Sequence, residues 1–409
     1  MYYLYIMKHI YQIDGVIQPY MWGGHFFLAD LTNRPTPTSE PEAELWMGAH
    51  PKGPARVHLP GGKVESLNLF LDKHGTEILG QKISRTFHGQ LPFLFKVLDV
   101  QQMLSIQAHP DKKQAETGFA KEEKAGIPPS AFNRVFRDDN HKPELSVALS
   151  DFYLLHGFLP EEQIAKRIGN IPEWSLLAKK LQAGLADLYA YTMRLPQSEV
   201  DRLLQPLAKR LQQSADLPKD QPDYWARQAI EQYTRPDGSI DRGIFSIYFM
   251  HIVHLAPGEA IFQKAGVLHA YLEGQVVEIM ANSDNVMRGG LTVKHIDVDA
   301  LLQHIIFAGA DPYRVEGVDT GSAAATMYPA PVKDFSLKKI DLDEQQSTYQ
   351  RLAGAPSIFL VMEGEISISG TNLTFTRGQQ FLVGATEVVN LTKAGKSGQL
   401  FEATVPFEV

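Results

Sequence analysis

A helix-forming block in the middle of the chain separates two stretches that have the character of β-strands. Between about Pro160 and Tyr233, leucines recur three or four positions apart, as at Leu177, Leu181 and Leu185. This spacing places the leucines on one face of a helix and predicts that they are core contacts. On both sides of the block, short apolar runs are bounded by glycine and proline, as strands and turns are. The chain is therefore predicted to be a β-structure with an α-helical insertion.

The stretches that flank the helical block define the predicted domains. The first stretch contains the apolar run 91–98, and strand character returns at Ile244 and continues to about Phe262. Near the end of the chain, Ile366 and Ile368 alternate with polar residues, as expected of a strand with one buried face. We predict a first β-domain at 1–154 and 241–315, an α-helical insertion at 155–240 and a second, C-terminal β-domain at 316–409.

The bulk charge and the lack of cysteine narrow the classes of function. The formal net charge is −8, which gives no reason to expect binding to nucleic acid or to an anionic membrane. An anionic substrate would therefore need a local group of basic residues. The chain has no cysteine, so disulfides and thiolate ligands are excluded and any metal ion must bind nitrogen and oxygen.

The sequence contains no pattern typical of membrane insertion or secretion. No run approaches the roughly 18 consecutive apolar residues of a transmembrane helix. The apolar start, residues 1–8, is too short for the apolar part of a signal peptide and has no basic residues before it. Met7 is an alternative first residue. We expect a cytoplasmic protein.

Polar side chains alternate with apolar ones between Leu104 and Pro110. In a strand, Ser105, Gln107 and His109 would project from the same face. An imidazole nitrogen and an amide oxygen are suitable ligands for a divalent cation, so a metal ion would explain this polar face. The alternative is a strand edge that faces solvent.

A second polar segment runs from Arg137 to Glu144 and ends where an apolar run begins. Because Glu144 directly precedes the run 145–149, its carboxylate can point into the core, where it would need a cation. An acidic surface loop has the same composition and is the alternative.

A third group of polar residues follows the helical block. His269 and Tyr271 share one face of a predicted strand, and Glu278 lies in an apolar run after a predicted turn at Glu273–Gly274. The loop that comes next carries two glycines together with Arg288, a composition suited to binding a phosphate or an oxyanion. A polar surface turn is the alternative.

Five segments of the chain together form a specific pattern. They are QPYMWGG at 18–24, ELWMGAHP at 44–51, LSIQAHPDK at 104–112, DDNHKPE at 138–144, and GVLHAYLEG with VEIMANSDNVMRGGLTVK at 266–294. In this order they resemble the motifs of the type I mannose-6-phosphate isomerase (phosphomannose isomerase) family. The resemblance implies a mainly β fold, in which a cupin-type β-sandwich (jelly roll) catalytic domain carries the helical insertion and a C-terminal cupin-like β-domain follows.

The resemblance also implies the identity of the site residues, position by position. One zinc ion per chain would be bound by Gln107, His109, Glu144 and His269. The catalytic positions would be Arg288, Lys142 and Glu278. The substrate-binding positions would be Ser105, Lys96, Tyr271 and Lys294.

The implied reaction is the interconversion of D-mannose 6-phosphate and D-fructose 6-phosphate through an enediol, which would serve mannose use and GDP-mannose synthesis. Zinc would act as a Lewis acid on the sugar oxygens, and Arg288 would stabilise negative charge. The proton-transferring base is left open between Glu278, Lys142 and His50. The phosphate contact is left open between Ser105, Lys294 and Arg288.

Two other classes of function would use the same scaffold. A metal-dependent oxygenase would explain the ligands but not the accompanying Arg288, Lys142 and Lys294, and it would favour two histidines and one carboxylate. A non-catalytic phosphosugar sensor would be expected to lack a ligand or the arginine. The expected partner is a small phosphosugar, and we expect a monomer that binds neither nucleic acid nor membranes. No histidine follows His304, so the C-terminal domain is predicted to be structural.

Overall fold

Antiparallel β-sheets and a block of helices make up the computed structural model, which describes residues 9–407. The apolar start, with its two candidate first residues Met1 and Met7, lies outside these residues. The strands are β1 (Ile10–Asp14), β2 (Val16–Gln18), β3 (Glu44–Gly48), β4 (Arg56–His58), β5 (Val64–Ser66), β6 (Phe93–Val100), β7 (Ile106–Ala108), β8 (Glu144–Ala148), β9 (Phe152–Phe158), β10 (Met250–Leu255), β11 (Ala260–Gln263), β12 (His269–Ala281), β13 (Met287–Gly290), β14 (Arg314–Val315), β15 (Val318–Asp319), β16 (Ala325–Tyr328), β17 (Ser336–Leu342), β18 (Thr348–Arg351), β19 (Ser357–Ile368), β20 (Thr374–Thr376), β21 (Gln380–Val383) and β22 (Val389–Thr404).

Five of the α-helices lie within 155–240, the predicted insertion. The helices are α1 (Phe27–Leu31), α2 (Leu67–Leu79), α3 (Gln81–Thr86), α4 (Lys112–Lys124), α5 (Glu161–Gly169), α6 (Ser175–Leu181), α7 (Leu185–Arg194), α8 (Gln197–Gln213), α9 (Pro222–Tyr233), α10 (Gly243–Phe249) and α11 (Val298–His304), with short 3₁₀ helices at Pro60–Gly62 and Pro172–Trp174. No helix within residues 9–407 is long and apolar enough to span a bilayer.

The strands form two antiparallel sheets. Sheet I has the order β14-β11-β8-β12-β6-β3-β2. Two further strands, β7 and β9, also pair with β12. In turn, β13 pairs with β7 and β10 pairs with β9. Sheet II has the order β15-β16-β17-β22-β19-β21-β1-β4-β5, with β18 on β22 and β20 on β19. Sheet I therefore contains strands from both before and after the helical block, and β12, from after it, lies between β8 and β6, from before it. The prediction of a mainly β chain with a helical insertion is confirmed.

The long strand β12 brings both halves of sheet I together. Its first half pairs with β7 and β9, and its second half pairs with β6 and β8. A straight strand would separate Tyr271 from Glu278 by about 23 Å, yet the Tyr271 hydroxyl donates to Oε2 of Glu278 at 2.7 Å. The strand therefore bends at Gly274, which has a φ of +115° and no room for a side chain beside Asp151. The predicted turn at Glu273–Gly274 is thus a bend within one continuous strand.

The leucine-rich block packs as predicted. Leu177, Leu188 and Leu204 are fully buried, and they share a core with Ile106 and other residues of sheet I. The helices are therefore joined to the sheet by an apolar interface rather than only by their connections. The leucines carry no chemistry and serve as core contacts.

The strand predicted to begin at Ile244 begins later than expected. Residues Gly243–Phe249 form α10, and β10 starts only at Met250. All seven residues of α10 are buried, so no exposed polar side chain marks the helical period. A short apolar run with aromatic residues has the pattern of a buried strand, and periodicity alone does not separate the two.

Sheets I and II pack against each other through a shared apolar core. Phe95 and Val277 of sheet I lie in the same buried cluster as Leu360 and Phe401 of sheet II. The first strand, β1, belongs to sheet II, where it pairs with β21 and β4. The division of the chain into the three predicted domains stays a prediction.

Candidate metal centre

Three buried side chains converge between β7, β8 and β12. The potential ligand atoms of His109, Glu144 and His269 all lie within 4.8 Å of one another. Nε2 of His109 is 3.5 Å from Oε1 of Glu144, and Nε2 of His269 is 3.2 Å from Oε2 of the same carboxylate. The exposed fractions of these residues are 1%, 2% and 0%, so water from bulk solvent does not separate them.

The hydrogen bonds of the two imidazoles define which nitrogen faces the centre. Nδ1 of His109 lies 2.7 Å from the carbonyl oxygen of Asn285, and Nδ1 of His269 lies 3.0 Å from that of Val267. Because a carbonyl oxygen only accepts, Nδ1 carries the proton in each ring. Both Nε2 atoms therefore present lone pairs, as in metal-ligating histidines whose other nitrogen donates to a carbonyl.

The inward-facing nitrogen and oxygen atoms of the cluster have no partner within the described part of the chain that satisfies their lone pairs. Nε2 of His109, Nε2 of His269 and Oε2 of Glu144 are buried and have no hydrogen-bond partner among residues 9–407. Burial and the nearby Lys142 ammonium lower the pKa of His109 to about 4, so the imidazole is neutral. Although burial opposes it, the Lys142 ammonium holds the pKa of Glu144 well below its ordinary value. Three acceptors then face one another, an arrangement that a divalent cation with nitrogen and oxygen ligands satisfies.

The order of the strands brings the three ligands together. Glu144 is the first residue of β8, His269 is the first residue of β12, and His109 directly follows β7. The fully buried Asn285 ties these segments to the loop before β8. Its side chain accepts from the main-chain N–H of Arg137 at 2.7 Å and donates to the carbonyl oxygens of Asp138 and Asn140, at 2.8 and 2.9 Å.

Gln107, the fourth predicted ligand, lies beside the cluster. It is centrally placed on β7, directly opposite His269 on β12 and opposite Arg288 on β13. Directly opposed residues of antiparallel strands project from the same face, so Gln107 shares a face with both. Its half-buried amide makes no hydrogen bond with any residue that the structure describes, and its role as a ligand stays a prediction. Ser105 precedes β7 and has no described polar contact.

A buried network of ionisable groups lies next to the cluster. Nζ of Lys96 is 3.0 Å from Oε1 of Glu278 and 3.3 Å from Oε2 of Glu44. The Tyr271 hydroxyl donates to the other oxygen of Glu278 and lies 2.8 Å from the Ser146 hydroxyl. The structure therefore brings together Lys96, Tyr271 and Glu278, three positions that the family resemblance implies for the active site.

The electrostatic environment distinguishes the members of this network. Burial alone would lower the pKa of Lys96, but the carboxylates of Glu278, Glu44 and Glu144 together raise it, so Lys96 remains an ammonium ion. Burial raises the pKa of Glu278, against the opposing effect of Lys96. Burial and Glu278 also raise the pKa of Tyr271 well above its ordinary value.

Lys142 and His50, the other candidates for the base, have acidic neighbours. Nζ of Lys142 is 3.1 Å from Oε1 of Glu144, which makes it part of the metal cluster. Nε2 of His50 is 3.7 Å from Oδ1 of Asp284, whose other oxygen is 2.8 Å from Nζ of Lys52. Burial lowers the pKa of His50, although Asp284 opposes this effect.

A group of cations without carboxylate partners lies beside the cluster. Arg288, Lys294 and Arg137 form no ion pair with any residue between 9 and 407 at the distances that define one. Burial lowers the pKa of Arg288, and Arg137 lowers it further. Burial, Arg288 and Arg137 lower the pKa of Lys294. Arg288 and Arg137 are half-buried and Lys294 is exposed. Neighbouring cations without carboxylate partners are suited to binding an anion.

Some residues of this region were not singled out by the sequence pattern. Asn285 and Arg137 lie within the polar segments that were recognised, but their neighbours are equally polar, so composition did not distinguish them. Glu44 lies in the segment ELWMGAHP, where a carboxylate at the start of an apolar run is the same pattern that identified Glu144. The same pattern therefore indicates an inward-facing carboxylate at Glu44.

Comparison with known proteins gives a consistent result. Residues 10–161 match the family described as phosphomannose isomerase type I, catalytic domain. The chain is 36% identical to the mannose-6-phosphate isomerase of Salmonella typhimurium over 393 residues, which cover 94% of this chain and 97% of that protein. It is 32% identical to the human mannose-6-phosphate isomerase over 414 residues, covering 93% and 95% of the two chains.

Solved structures of the Salmonella typhimurium enzyme have the same fold. One of them, bound to fructose 6-phosphate as substrate and to zinc, superposes with a TM-score of 0.87 at 35% identity and covers 98% of this chain and 100% of that chain. A mannose 6-phosphate isomerase structure described as bound with zinc and yttrium also has a TM-score of 0.87, at 34% identity, and covers the same shares of the two chains.

Proposed function

Since this chain belongs to the type I phosphomannose isomerases, a family with a cupin-type fold, we propose that it is a zinc-dependent aldose–ketose isomerase that interconverts D-mannose 6-phosphate and D-fructose 6-phosphate. The observation that carries the proposal is the buried cluster of His109, Glu144 and His269, whose inward-facing acceptors require a cation. The relatives with zinc bound, and one with fructose 6-phosphate, support the choice of metal and substrate.

The metal would be held by His109, Glu144 and His269, with Gln107 beside them as the fourth ligand. When bound, zinc supplies a Lewis acid that polarises oxygens of the sugar. The ionised Glu144 would offset part of the metal charge, and Nζ of Lys142 lies next to that carboxylate. The burial of the ligands keeps the surrounding dielectric low, which strengthens every charge interaction with the substrate.

Isomerisation through an enediol requires a base that moves a proton between C1 and C2, and we assign this role to Glu278. Its carboxylate is held from both sides, by Lys96 at Oε1 and by Tyr271 at Oε2. Its raised pKa brings it closer to the working pH, which favours proton transfer in both directions. Lys96 is a poor base because the surrounding carboxylates keep it protonated, so it would instead stabilise negative charge.

The phosphate would bind to the cations Arg288, Lys294 and Arg137. The chain carries a net charge of −8, so a local cationic site is needed to attract a phosphosugar. A phosphate would offset the burial and the mutual repulsion that lower the pKa values of Arg288 and Lys294. Arg288 lies opposite Gln107, so it is the member of the group that also faces the metal cluster.

Arg137→Ala is expected to raise the KM for mannose 6-phosphate by about tenfold with little change in kcat, because a charge-assisted hydrogen bond to a phosphate contributes a few kcal/mol at most. The measurement is steady-state kinetics, together with the inhibition constant of inorganic phosphate, which should rise by a similar factor. Arg377→Ala, which removes an arginine paired with Asp30 in another part of the chain, is the matched control. An unchanged KM would remove Arg137 from the phosphate site.

The proposed setting is a monomeric enzyme of the cytoplasm that serves mannose use and GDP-mannose synthesis. The lack of cysteine fits a reducing compartment. Size-exclusion chromatography with light scattering tests the monomer directly.

A coupled assay of fructose 6-phosphate formation tests the proposed activity. We expect turnover of mannose 6-phosphate by the metal-loaded protein, complete loss after dialysis against a chelator and recovery when Zn²⁺ is restored. Activity that survives complete metal removal contradicts the role of the cluster. A metal-loaded protein that binds mannose 6-phosphate without turning it over would instead be a sensor.

A further inference from the structure

The direction of the Arg288 side chain depends on the conformation of its main chain. It forms no hydrogen bond and no ion pair with any residue in the range 9–407, so nothing on the side chain itself fixes its direction. Its strand, β13, pairs with β7 and places Arg288 opposite Gln107. The register shifts before Gly290, and the fully buried Leu291 has a φ of +51°, a conformation that residues other than glycine rarely adopt.

One buried carboxylate holds this unusual turn. Oδ1 of Asp241 accepts from the main-chain N–H groups of Leu291 and Gly243, both at 2.7 Å, and Oδ2 accepts from that of Thr292 at 3.3 Å. Asp241 is only 8% exposed. All its described side-chain hydrogen bonds go to main-chain donors, and such charge-assisted bonds are stronger than neutral ones.

The turn also packs tightly against the start of α10. A Cβ atom on Gly290 would lie 2.3 Å from Cα of Gly243, and one on Gly243 would lie 2.6 Å from the main-chain nitrogen of Leu291. The two glycines therefore allow the backbones to approach closely enough for one carboxylate to bind both segments. The residues after β13 are fixed to the end of the helical block at this point.

We propose that Asp241 is a positioning residue for Arg288, acting by binding the main chain that follows β13 and so fixing the direction of the arginine side chain. The inference rests on the proposed isomerase function, in which Arg288 acts on the substrate. Without the carboxylate, Leu291 loses the hydrogen bond that offsets its unfavourable φ, and the end of β13 relaxes. A displacement of about 1 Å in a substrate-binding group is enough to lower turnover by up to about 100-fold.

A double-mutant cycle on turnover tests this role. Asp241→Ala is expected to lower kcat by about 10- to 100-fold in the otherwise unchanged protein and to leave zinc content unchanged. In an Arg288→Ala background the same substitution is expected to change kcat by less than about twofold, because no side chain remains to be positioned. An equal fold-loss in both backgrounds would mean a purely structural role and would overturn the proposal.

Two further variants keep the test decisive. Asp241→Asn retains an acceptor oxygen for Leu291 and Gly243, so it is expected to lose less turnover than Asp241→Ala and serves if the alanine variant does not fold. Asp343→Ala removes a carboxylate that accepts from the main-chain N–H groups of Gln345 and Gln346 in the loop between β17 and β18, and it should leave kcat unchanged. If the unmodified protein has no isomerase activity, the proposed function fails. If it is active and the cycle is additive, only the role of Asp241 fails.

Discussion

Glu144→Ala is expected to abolish zinc binding and to lower turnover of mannose 6-phosphate by at least about 1,000-fold. Loss of an outer hydrogen-bond partner of a metal ligand costs about 10- to 100-fold in metal affinity, and loss of the charged ligand itself should cost more. A catalytic metal contributes several kcal/mol of charge stabilisation, which corresponds to about three orders of magnitude in rate. The two measurements are the zinc content, by inductively coupled plasma mass spectrometry, and kcat, from the coupled assay.

A matched control for this substitution exists in sheet II. Glu402 is buried and is 3.1 Å from Nζ of the partly exposed Lys338, so Glu402→Ala also breaks an ion pair of a buried glutamate, at a cost of up to roughly 3–5 kcal/mol in unfolding free energy. We expect both variants to be destabilised, but only Glu144→Ala to lose zinc. If Glu402→Ala loses zinc equally, or if Glu144→Ala keeps it, the effect at Glu144 does not arise from ligation.

Glu278→Gln is expected to lower kcat by about 100- to 10,000-fold, the range that a positioned general base contributes. The glutamine side chain has nearly the same shape, so zinc content and KM should change little. The primary isotope effect with mannose 6-phosphate deuterated at C2 is the second measurement, because slowed proton abstraction should make that step fully rate-limiting. Glu402→Gln provides the control for a buried glutamate without a catalytic role.

The pH dependence of kcat gives the sign of the Glu278 effect. The base acts as a carboxylate, and burial raises its pKa above the ordinary value of 4.5. Activity should therefore fall as the pH is lowered through this raised pKa, and Glu278→Gln should lose that acidic limb. Zinc content is measured at each pH so that loss of metal is not mistaken for protonation. An acidic limb that persists in Glu278→Gln would assign the base to Lys142 or His50.

The sequence predicted the architecture because its patterns are local. Leucines spaced three or four apart predict a buried helical face wherever they occur, and Leu177, Leu188 and Leu204 are indeed fully buried. The prediction of a strand that starts at Ile244 was wrong for the opposite reason. Residues Gly243–Phe249 are all buried, so the run has no polar face. Without a polar face, the pattern of polar and apolar residues does not show the helical period of 3.6 residues.

The sequence pointed to His109, Glu144 and His269, which the structure brings together, but not to how they are arranged. Alternation indicates that Gln107 and His109 share a face, and the position of Glu144 before an apolar run indicates an inward carboxylate. Only the family resemblance implies that these residues and His269 bind one metal ion. Nothing local indicated that Asn285 would accept from Arg137 or that Asp241 would bind Leu291, because these contacts join segments far apart in the chain. Tertiary contacts between polar residues leave no periodic trace in a sequence.

The pairing of β1 with β21 has a consequence for how the protein is made. Ile10 pairs with Val383, so β1 cannot form all of its pairings in sheet II until β21 has been synthesised. At about 5–20 residues per second, β1 leaves the ribosome tens of seconds before β21 is synthesised. During that interval the edge of β1 that β21 will cover remains open, and sheet II is completed only after β21 and β22 have been synthesised.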